Sequence, residues 1–237
     1  MIRHIDSKQM GRGVHSWLDS HFHFSFADYH NPSNMRFGVL RVLNDDMVKP
    51  DAGFDTHSHE NMEIISYVIT GELTHADSIG NRHTLTRGEV QYMSAGTGVA
   101  HSEHNLGKDM LRFLQIWILP DMKGIAPNYG DFRFAFADRE NRWLPIAANI
   151  GNNQSSAPIK IHADINVYAA VAKSGHPLAF PVLPGRQAYL VMIEDKAIIN
   201  GISTYTRDAL EIVEENILVE PEEKAHMLIM EMAKEKK

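Results

Sequence analysis

The stretch of sequence that decides the fold reads DTHSHENMEIISYVITGELTHADSIGNRHTLTRGEVQYMSAGTGVAHSEHN and covers residues 55–105. It contains His57-Ser58-His59 near its start and His101-Ser102-Glu103 near its end, and strand-like segments broken by glycines join the two blocks. Side chains at positions i and i+2 of a β-strand point to the same face, so each block can direct its two outer side chains into one interior. Three imidazoles and a carboxylate are enough to hold a metal ion. The stretch therefore predicts a metal-binding β domain.

The composition is that of an ordinary globular protein. Of the 237 residues, 43% are hydrophobic and 22% are charged, which is sufficient for a sizeable core. The formal net charge is −7, so the chain has no general basic footprint for a nucleic-acid backbone. We expect no direct binding to nucleic acid.

The chain contains no cysteine. Disulfides and thiolate ligands are therefore excluded, and His, Asp and Glu are the strong metal ligands that remain. The sequence begins Met1-Ile2-Arg3-His4 without an apolar signal region, and it has no uninterrupted apolar run of about 18 residues. We expect a soluble cytoplasmic protein that does not bind membranes.

Short apolar runs between turn residues predict an antiparallel β fold. The predicted strands of the first half are residues 21–28, 36–43, 63–69, 73–78, 82–86, 88–93 and 111–119. Turns are predicted at Asn44-Asp45-Asp46, at Asp51-Ala52-Gly53 and, within a hairpin, at Gly80-Asn81. Residues 121–158 have the composition of a linker with a few short elements. Residues 225–236 have a helical composition, with an initial strand as the alternative.

The second half of the chain resembles the first when it is displaced by about 120 residues. Tyr67-Val68-Ile69 then aligns with Tyr189-Leu190-Val191, and Thr86-Arg87-Gly88 aligns with Thr206-Arg207-Asp208. Because strand, turn and strand keep their order, the match predicts two similar β domains.

The histidines do not recur in the second copy. At the same displacement, the positions of His57 and His59 fall near Ala179 and Pro181. We therefore predict a metal-binding domain over residues 1–128 and a domain without metal ligands over residues 129–237. The expected fold class is all-β, with two antiparallel β-barrels of the jelly-roll type in tandem.

The order of motif residues in the first domain resembles the two cupin motifs. Gly53 precedes His57-Ser58-His59, Glu63 follows, and His101 lies four residues before Asn105. A closer resemblance is to the pirin family of bicupins, in which HxH is followed by HxE. Flanking segments also resemble that family, namely His23-Phe24-Ser25-Phe26-Ala27-Asp28-Tyr29, Gly71-Glu72-Leu73, Asp77-Ser78-Ile79-Gly80-Asn81 and Gly96-Thr97-Gly98.

The resemblance implies a set of metal ligands. Three histidines and a glutamate bind the metal in pirins, and these positions correspond to His57, His59, His101 and Glu103. Strand periodicity alone leaves Glu63 as a rival, because it has the same parity as His57 and His59. The resemblance favours Glu103 and leaves Glu63 as a group that could orient a ligating histidine.

The remaining histidines are interpreted as ordinary polar strand residues. They include His75 and His104, and His104 is expected to point away from the face that carries His101. Gln115 and Trp117 lie on a predicted strand near the expected pocket.

The pirin resemblance also implies an activity. Bacterial pirins are associated with quercetin 2,3-dioxygenase activity, so we expect a small planar aromatic substrate, O2 and a flavonol hydroxyl that Glu103 deprotonates as the catalytic base. The cofactor expected is one divalent transition metal, Fe(II), with Mn, Ni, Cu, Co or Zn as alternatives. We expect a monomer.

Two other functions are compatible with the same residues. Some pirins act as metal- or redox-responsive partners of transcription regulators, and other cupins are small-molecule enzymes of different specificity. A deep cavity that fits a planar polyphenol would favour the dioxygenase over a binding protein.

Overall fold

The structure is a computed structural model, and it describes residues 1 to 235. Its contacts divide the chain into two compact units. The N-terminal unit comprises Gly11–Ala135 and Ile161–Ala163, and the C-terminal unit comprises Met1–Met10, Phe136–Lys160 and the chain from Asp164 onward. The expected boundary lies between residues 128 and 129; this division falls between Ala135 and Phe136 and places the first ten residues in the C-terminal unit, where the first strand of the chain pairs.

Strands dominate both units, so the all-β prediction is confirmed. The strands of the first 135 residues are β1 Ile2–Ile5, β2 Gly11–Val14, β3 Leu18–Phe22, β4 Leu40–Val48, β5 Ala52–His59, β6 Glu63–Thr70, β7 Leu73–Asp77, β8 Arg82–Leu85, β9 Val90–Ser94, β10 Val99–Asn105, β11 Leu111–Ile118 and β12 Asn128–Phe132. Those that follow are β13 Leu144–Asn149, β14 Ile159–Ile161, β15 Ile165–Lys173, β16 Leu178–Phe180, β17 Arg186–Ile199, β18 Ile202–Tyr205, β19 Ala209–Val213 and β20 Ile217–Ala233.

Two antiparallel sheets build the N-terminal unit. The larger has the strand order β12-β9-β6-β11-β4-β3-β2, and the smaller has the order β5-β10-β7-β8. The sheet of the C-terminal unit has the order β1-β19-β17-β20-β15-β13-β14, with β16 paired to β20 and β18 paired to β17. Short 3₁₀ turns lie at Ser7–Gln9 and Phe136–Arg139.

One face of the larger N-terminal sheet carries a polar row between apolar rows. Gln115 of β11 lies opposite Asn44 of β4 on one side and Ser66 of β6 on the other. Phe113 and Trp117, two residues to either side of Gln115, share its face because strand side chains alternate. The polar row is therefore flanked by aromatic side chains on this face of the sheet.

An apolar cluster joins the two N-terminal sheets. Phe113 and Val68 of the larger sheet pack with Leu73 and Leu85 of the smaller one, and all four are at most 2% exposed. Leu111 of the same cluster lies two residues from Phe113 on β11, which is the alternation that buries one face of a sheet.

The turn predicted at Asn44-Asp45-Asp46 is wrong, because all three residues lie within β4. Asp45 forms a two-pronged ion pair with Arg112, with distances of 2.8 and 2.6 Å between nitrogen and oxygen atoms. Asn44 and Asp46 have the opposite parity and point to the other face, which is the one that carries Gln115. Three consecutive polar residues suggested a turn. In the structure they lie within β4, which pairs with β11 on one edge and β3 on the other, and their side chains alternate between the two faces of the sheet.

Other element predictions are partly corrected. The strand predicted over residues 21–28 ends at Phe22, and the one predicted over residues 36–43 begins at Leu40. The helical prediction for residues 225–236 is wrong over the described residues, because β20 runs to Ala233 and pairs with both β15 and β17. Lys236 lies outside the described residues.

The predicted internal repeat is confirmed as a repeated strand pairing. In the N-terminal unit, Tyr67 of β6 lies opposite Val90 of β9. In the C-terminal unit, Tyr189 and Leu190 of β17 lie opposite Glu211 and Leu210 of β19. The strand pairing of the C-terminal unit therefore matches that of the N-terminal unit to within one residue of the alignment predicted from the sequence.

Among residues 1 to 235, no helix has the length and apolar character of a membrane span.

Candidate metal centre

Three histidines of the N-terminal unit converge. β5 and β10 are antiparallel neighbours, and their register places His57 directly opposite His101. His59, two residues from His57, points to the same face, and the centroids of the three rings lie 4.6 to 5.0 Å apart. One nitrogen from each ring lies within 4.8 Å of the others. The two histidine-bearing blocks of the sequence therefore lie on adjacent strands, and their histidines face the same side.

His59 and His101 are held in the neutral form that metal binding requires. Burial, together with the neighbouring imidazoles, lowers the pKa of His59 to about 4 and that of His101 to about 3. Nδ1 of His57 lies 2.8 Å from the carbonyl oxygen of Asp55, which can only accept. Because Nδ1 of His57 then carries the proton, the lone pair of its Nε2 is free for a ligand.

One buried atom lacks a partner at this cluster. Among residues 1 to 235, Nε2 of His101 has no hydrogen-bond partner although the residue is only 2% exposed. Buried polar groups are generally satisfied by protein, water or an ion. The unpaired nitrogen and the donor set of neutral imidazoles beside a carboxylate fit a divalent transition metal.

Glu103 is buried beside the histidines and is held by three donors. Its Oε1 accepts hydrogen bonds from Oγ of Ser66 at 2.8 Å and Nε2 of Gln91 at 2.6 Å. Its Oε2 accepts one from Nε2 of Gln115 at 2.5 Å. The potential ligand atoms of Glu103 group with those of His101 and His75, whereas His57 and His59 group with His101. His101 therefore belongs to both groups, and Glu103 lies next to the three-histidine cluster.

Glu63, the rival carboxylate, takes another position. It is 1% exposed, and its Oε2 accepts a hydrogen bond of 2.6 Å from Oγ of Ser94. Burial raises its pKa, and the hydrogen bond from Ser94 opposes that shift. Among the described residues, neither group of potential metal ligands includes Glu63.

Sequence reasoning missed His75. This side chain is fully buried on β7, and its Nδ1 lies 3.5 Å from Nδ1 of His101. On its other side, Nε2 lies 3.1 Å from Oδ2 of Asp77, and the ring stacks on Tyr129 at 4.4 Å. The i, i+2 spacing of His75 and Asp77 could have indicated that their side chains share a face. The sequence did not show that β7 pairs with β10, which brings His75 to His101.

Asp77 is an anionic partner for His75. Burial raises the pKa of Asp77, but hydrogen bonds from Asn81 and His75 outweigh that effect and lower it. An anionic carboxylate only accepts hydrogen bonds, so His75 donates from Nε2 and its Nδ1 is left as an acceptor toward His101.

A cavity of about 560 Å³ opens onto this cluster from within the N-terminal unit. His57, Glu103 and Gln115 contribute to its lining. Its aromatic walls include Trp117, whose ring is edge-on to His59 at 4.8 Å and to Phe26 at 5.4 Å. The arrangement places polar and potential metal-binding groups beside a largely aromatic chamber.

The fold and the site together define a two-domain cupin protein with a candidate metal centre in its N-terminal domain. The chain matches the family model Pirin over residues 4–118 and the model Quercetinase C-terminal cupin domain over residues 148–232. A pirin-like protein of Caulobacter vibrioides is 38% identical over 217 residues, which cover 90% of this chain and 93% of that protein. The chain belongs to the pirin family, as its motifs predicted.

Two further matches are with Escherichia coli proteins. A protein of strain K12 named quercetin 2,3-dioxygenase is 36% identical over 219 residues, which cover 92% of each chain. The crystal structure of the bacterial pirin YhhW in complex with nickel(II) is 34% identical, has a TM-score of 0.91, and matches 99% of this chain and 100% of that one.

Proposed function

We propose that this protein is a metal-dependent dioxygenase that cleaves a flavonol of the quercetin type with O2. The observation that carries the proposal is that Glu103 and His57, one of the three converging imidazoles, line the same aromatic-walled cavity. The relative of this chain named quercetin 2,3-dioxygenase supports the same reaction class.

The proposed ligands are His57, His59, His101 and Glu103. A divalent metal held there would supply Lewis acidity toward the bound flavonol hydroxyl and a template for substrate and O2. Fe(II) is the proposed native ion. Imidazole and carboxylate ligands also suit nickel, which the related bacterial pirin contains in its crystal structure.

Glu103 is proposed as the base that takes the proton of the flavonol hydroxyl. A carboxylate offers about four lone-pair sites, and Ser66, Gln91 and Gln115 occupy three of them. These donors fix the direction of the carboxylate and leave one lone pair, which serves either the metal or the proton of the hydroxyl, so Glu103 would leave the metal when it acts as the base. Because Glu103 lines the cavity, a substrate hydroxyl can reach it. The proton then passes from the hydroxyl oxygen to a carboxylate oxygen of Glu103.

The cavity supports a planar aromatic substrate. Its volume of about 560 Å³ lies within the range of roughly 300–1,000 Å³ that is common for small-molecule sites. Trp17 and Phe54 contact each other edge-on at 5.2 Å in the lining, and Trp117 and Phe26 form a second aromatic contact. Aromatic side chains favour flat aromatic ligands through stacked and edge-on contacts.

The test combines metal analysis with turnover. We expect the purified protein to contain one divalent transition metal per chain and to consume O2 and quercetin with release of carbon monoxide. His57→Ala should lose both the metal and the turnover. As a control, His176→Ala replaces an exposed histidine of the C-terminal unit and should retain both. Full quercetin cleavage by metal-free protein, or no cleavage by the fully metal-loaded protein, would contradict the proposal.

A further inference from the structure

A polar patch lies on the cavity wall formed by the larger N-terminal sheet. It consists of Ser20 on β3 and Asn44 and Asp46 on β4, and all three residues line the cavity. The register places Ser20 directly opposite Asp46, and Asn44 has the same strand parity as Asp46. The three side chains therefore share one face. We call them the β4 patch.

Asn44 is the group in the β4 patch that requires explanation. It is 3% exposed, and its Oδ1 has no hydrogen-bond partner among residues 1 to 235. Most buried side-chain acceptors have a donor, and leaving one unpaired is unfavourable. The neighbouring positions across the strands are Phe22 and Gln115, and the amide of Gln115 is directed to Glu103. A donor supplied by a ligand in the cavity would satisfy Asn44.

Asp46 adds a second hydrogen-bonding group. It is 2% exposed and accepts a hydrogen bond from Oγ of Ser20. Burial, with help from the nearby charges of Asp45 and Glu103, raises its pKa to about 7, although the bond from Ser20 opposes the shift. A carboxyl group near its pKa can accept a hydrogen bond from a hydroxyl or donate one to it.

The β4 patch and Glu103 lie on different sheets of the N-terminal unit, and Gln115 of β11 links them. Gln115 lies between them, because it is opposite Asn44 and its side chain donates to Glu103. Adjacent antiparallel residues are about 5 Å apart, so Asn44 lies one strand spacing, about the width of an aromatic ring, from the residue whose side chain reaches Glu103. Phe22 and Phe26, whose rings are 5.5 Å apart, line the cavity beside the patch. A ligand with one hydroxyl at Glu103 can thus present a second one here.

We propose that Asn44, with Asp46 and Ser20, forms a subsite that binds a second hydroxyl group of a polyphenol, remote from the hydroxyl that faces Glu103. The assignment rests on the proposed flavonol reaction for its substrate class. It makes the enzyme selective for aromatic substrates that carry a hydrogen-bond donor on the ring far from the reacting hydroxyl. A flavonol without that donor would leave the Asn44 carbonyl unpaired.

The test compares quercetin with 3-hydroxyflavone, which has the reacting hydroxyl and lacks the others. Metal-loaded protein is titrated with each flavonol without O2, and binding is followed by quenching of tryptophan fluorescence, because Trp17 and Trp117 line the cavity. We expect the wild-type protein to bind quercetin about 10-fold more tightly, the effect of one or two hydrogen bonds. Asn44→Leu, which conserves volume, should reduce the preference to about 2-fold or less.

Two more variants complete the comparison. Asn44→Ala should lose the preference in the same way, so a folding defect in one Asn44 variant does not decide the result. Leu18→Val trims an apolar side chain of the same cavity and should affect both flavonols equally, which preserves their affinity ratio. A preference retained in both Asn44 variants, or absent from the wild-type protein, would overturn the subsite.

Aerobic turnover separates this proposal from the reaction on which it rests. An Asn44-dependent preference without quercetin cleavage would support the subsite and overturn the dioxygenase. Cleavage without that preference would support the dioxygenase and overturn the subsite. Failure of the wild-type protein to bind either flavonol would overturn both.

Discussion

Nδ1 of His75 lies 3.5 Å from Nδ1 of His101, and the opposite nitrogen of His75 faces the carboxylate of Asp77 at 3.1 Å. Asp77 fixes the proton of His75 on Nε2, so His75 can accept from Nδ1 of His101. His101 then carries its own proton on Nδ1 and leaves Nε2, the unpaired atom, free. Hydrogen bonds of this kind orient metal-binding imidazoles and set their tautomer.

We expect His75→Phe to weaken metal binding by about 10- to 100-fold, because His101 loses the partner that sets its tautomer. Phenylalanine keeps the ring that stacks on Tyr129. The measurement is calorimetric titration of the metal-free protein with Ni(II) or Fe(II). His83→Phe is the matched control, since His83 also stacks on Tyr129, at 5.6 Å, and its Nδ1 lies 3.0 Å from Oδ2 of Asp131 rather than beside His101. Equal metal affinity of the His75 and His83 variants would contradict the role of Asp77 and His75 in setting the tautomer of His101.

Glu103→Gln should lower quercetin turnover by about 10²- to 10⁴-fold, the usual contribution of a general base. Glutamine presents an NH2 group to a site where Ser66, Gln91 and Gln115 all donate, so at least one donor is left unpaired. We therefore also expect a stability loss of about 1–3 kcal/mol in urea unfolding. Turnover, metal content and unfolding are measured on the same preparation. Wild-type turnover at unchanged metal content would exclude Glu103 as the base.

Gly53→Ala should disturb the metal cluster through the backbone. A Cβ atom at Gly53 would lie 2.3 Å from the carbonyl oxygen of Glu103 and 2.5 Å from Cα of His104, so β5 must move away from β10. We expect a stability loss of about 1–3 kcal/mol and weaker metal binding, because His57 and His101 lie on these two strands.

Gly107→Ala serves as the control for that substitution. Its Cβ would approach the Oδ1 atom of Asn105 at 3.2 Å, a side-chain contact that needs only a small adjustment. Its stability and metal affinity should stay close to wild type. If Gly53→Ala behaves in the same way, the close approach of β5 and β10 is not required for the site.

Asp46 should make the protein less stable as the pH rises. Burial raises its pKa from 3.8 to about 7, so the folded state holds this proton more tightly than the unfolded state. Its contribution is present below about pH 4 and is lost as the pH rises through about 7, with a slope of at most about 1.4 kcal/mol per pH unit. Asp46→Asn removes this slope.

Urea unfolding of the metal-free wild type and of Asp46→Asn between pH 4.5 and 8 measures that difference. The other charged groups near Asp46 are Asp45, paired with Arg112, and Glu103 on β10. All three are present in both proteins, so their direct contributions cancel in the comparison. A difference in stability that is constant with pH, or that favours the wild type more at high pH, would contradict the raised pKa.

Strand alternation made much of the site readable from the sequence. His57 and His59 share a face because they are two residues apart on β5, and the same rule relates His101 to Glu103 on β10. The apolar runs located β6 and β11 to within a few residues. Where polar residues interrupt a strand, the sequence pattern wrongly predicted a turn, as at Asn44 and Asp46. These residues lie within a strand because they face a cavity, which the local sequence does not show.

The sequence by itself determined that two pairs of potential ligands exist, that they lie on strands, and that the chain repeats one β unit without repeating the histidines. These properties depend on residue type and short-range periodicity, which a linear sequence contains. Only the tertiary structure decided that β10 lies between β5 and β7, and so that His101 meets His57 on one side and the neighbourhood of His75 on the other. It also decided that Asn44 and Asp46 face the cavity. Strand pairing joins residues far apart in the chain, and the energies that select it arise from burial across whole sheets.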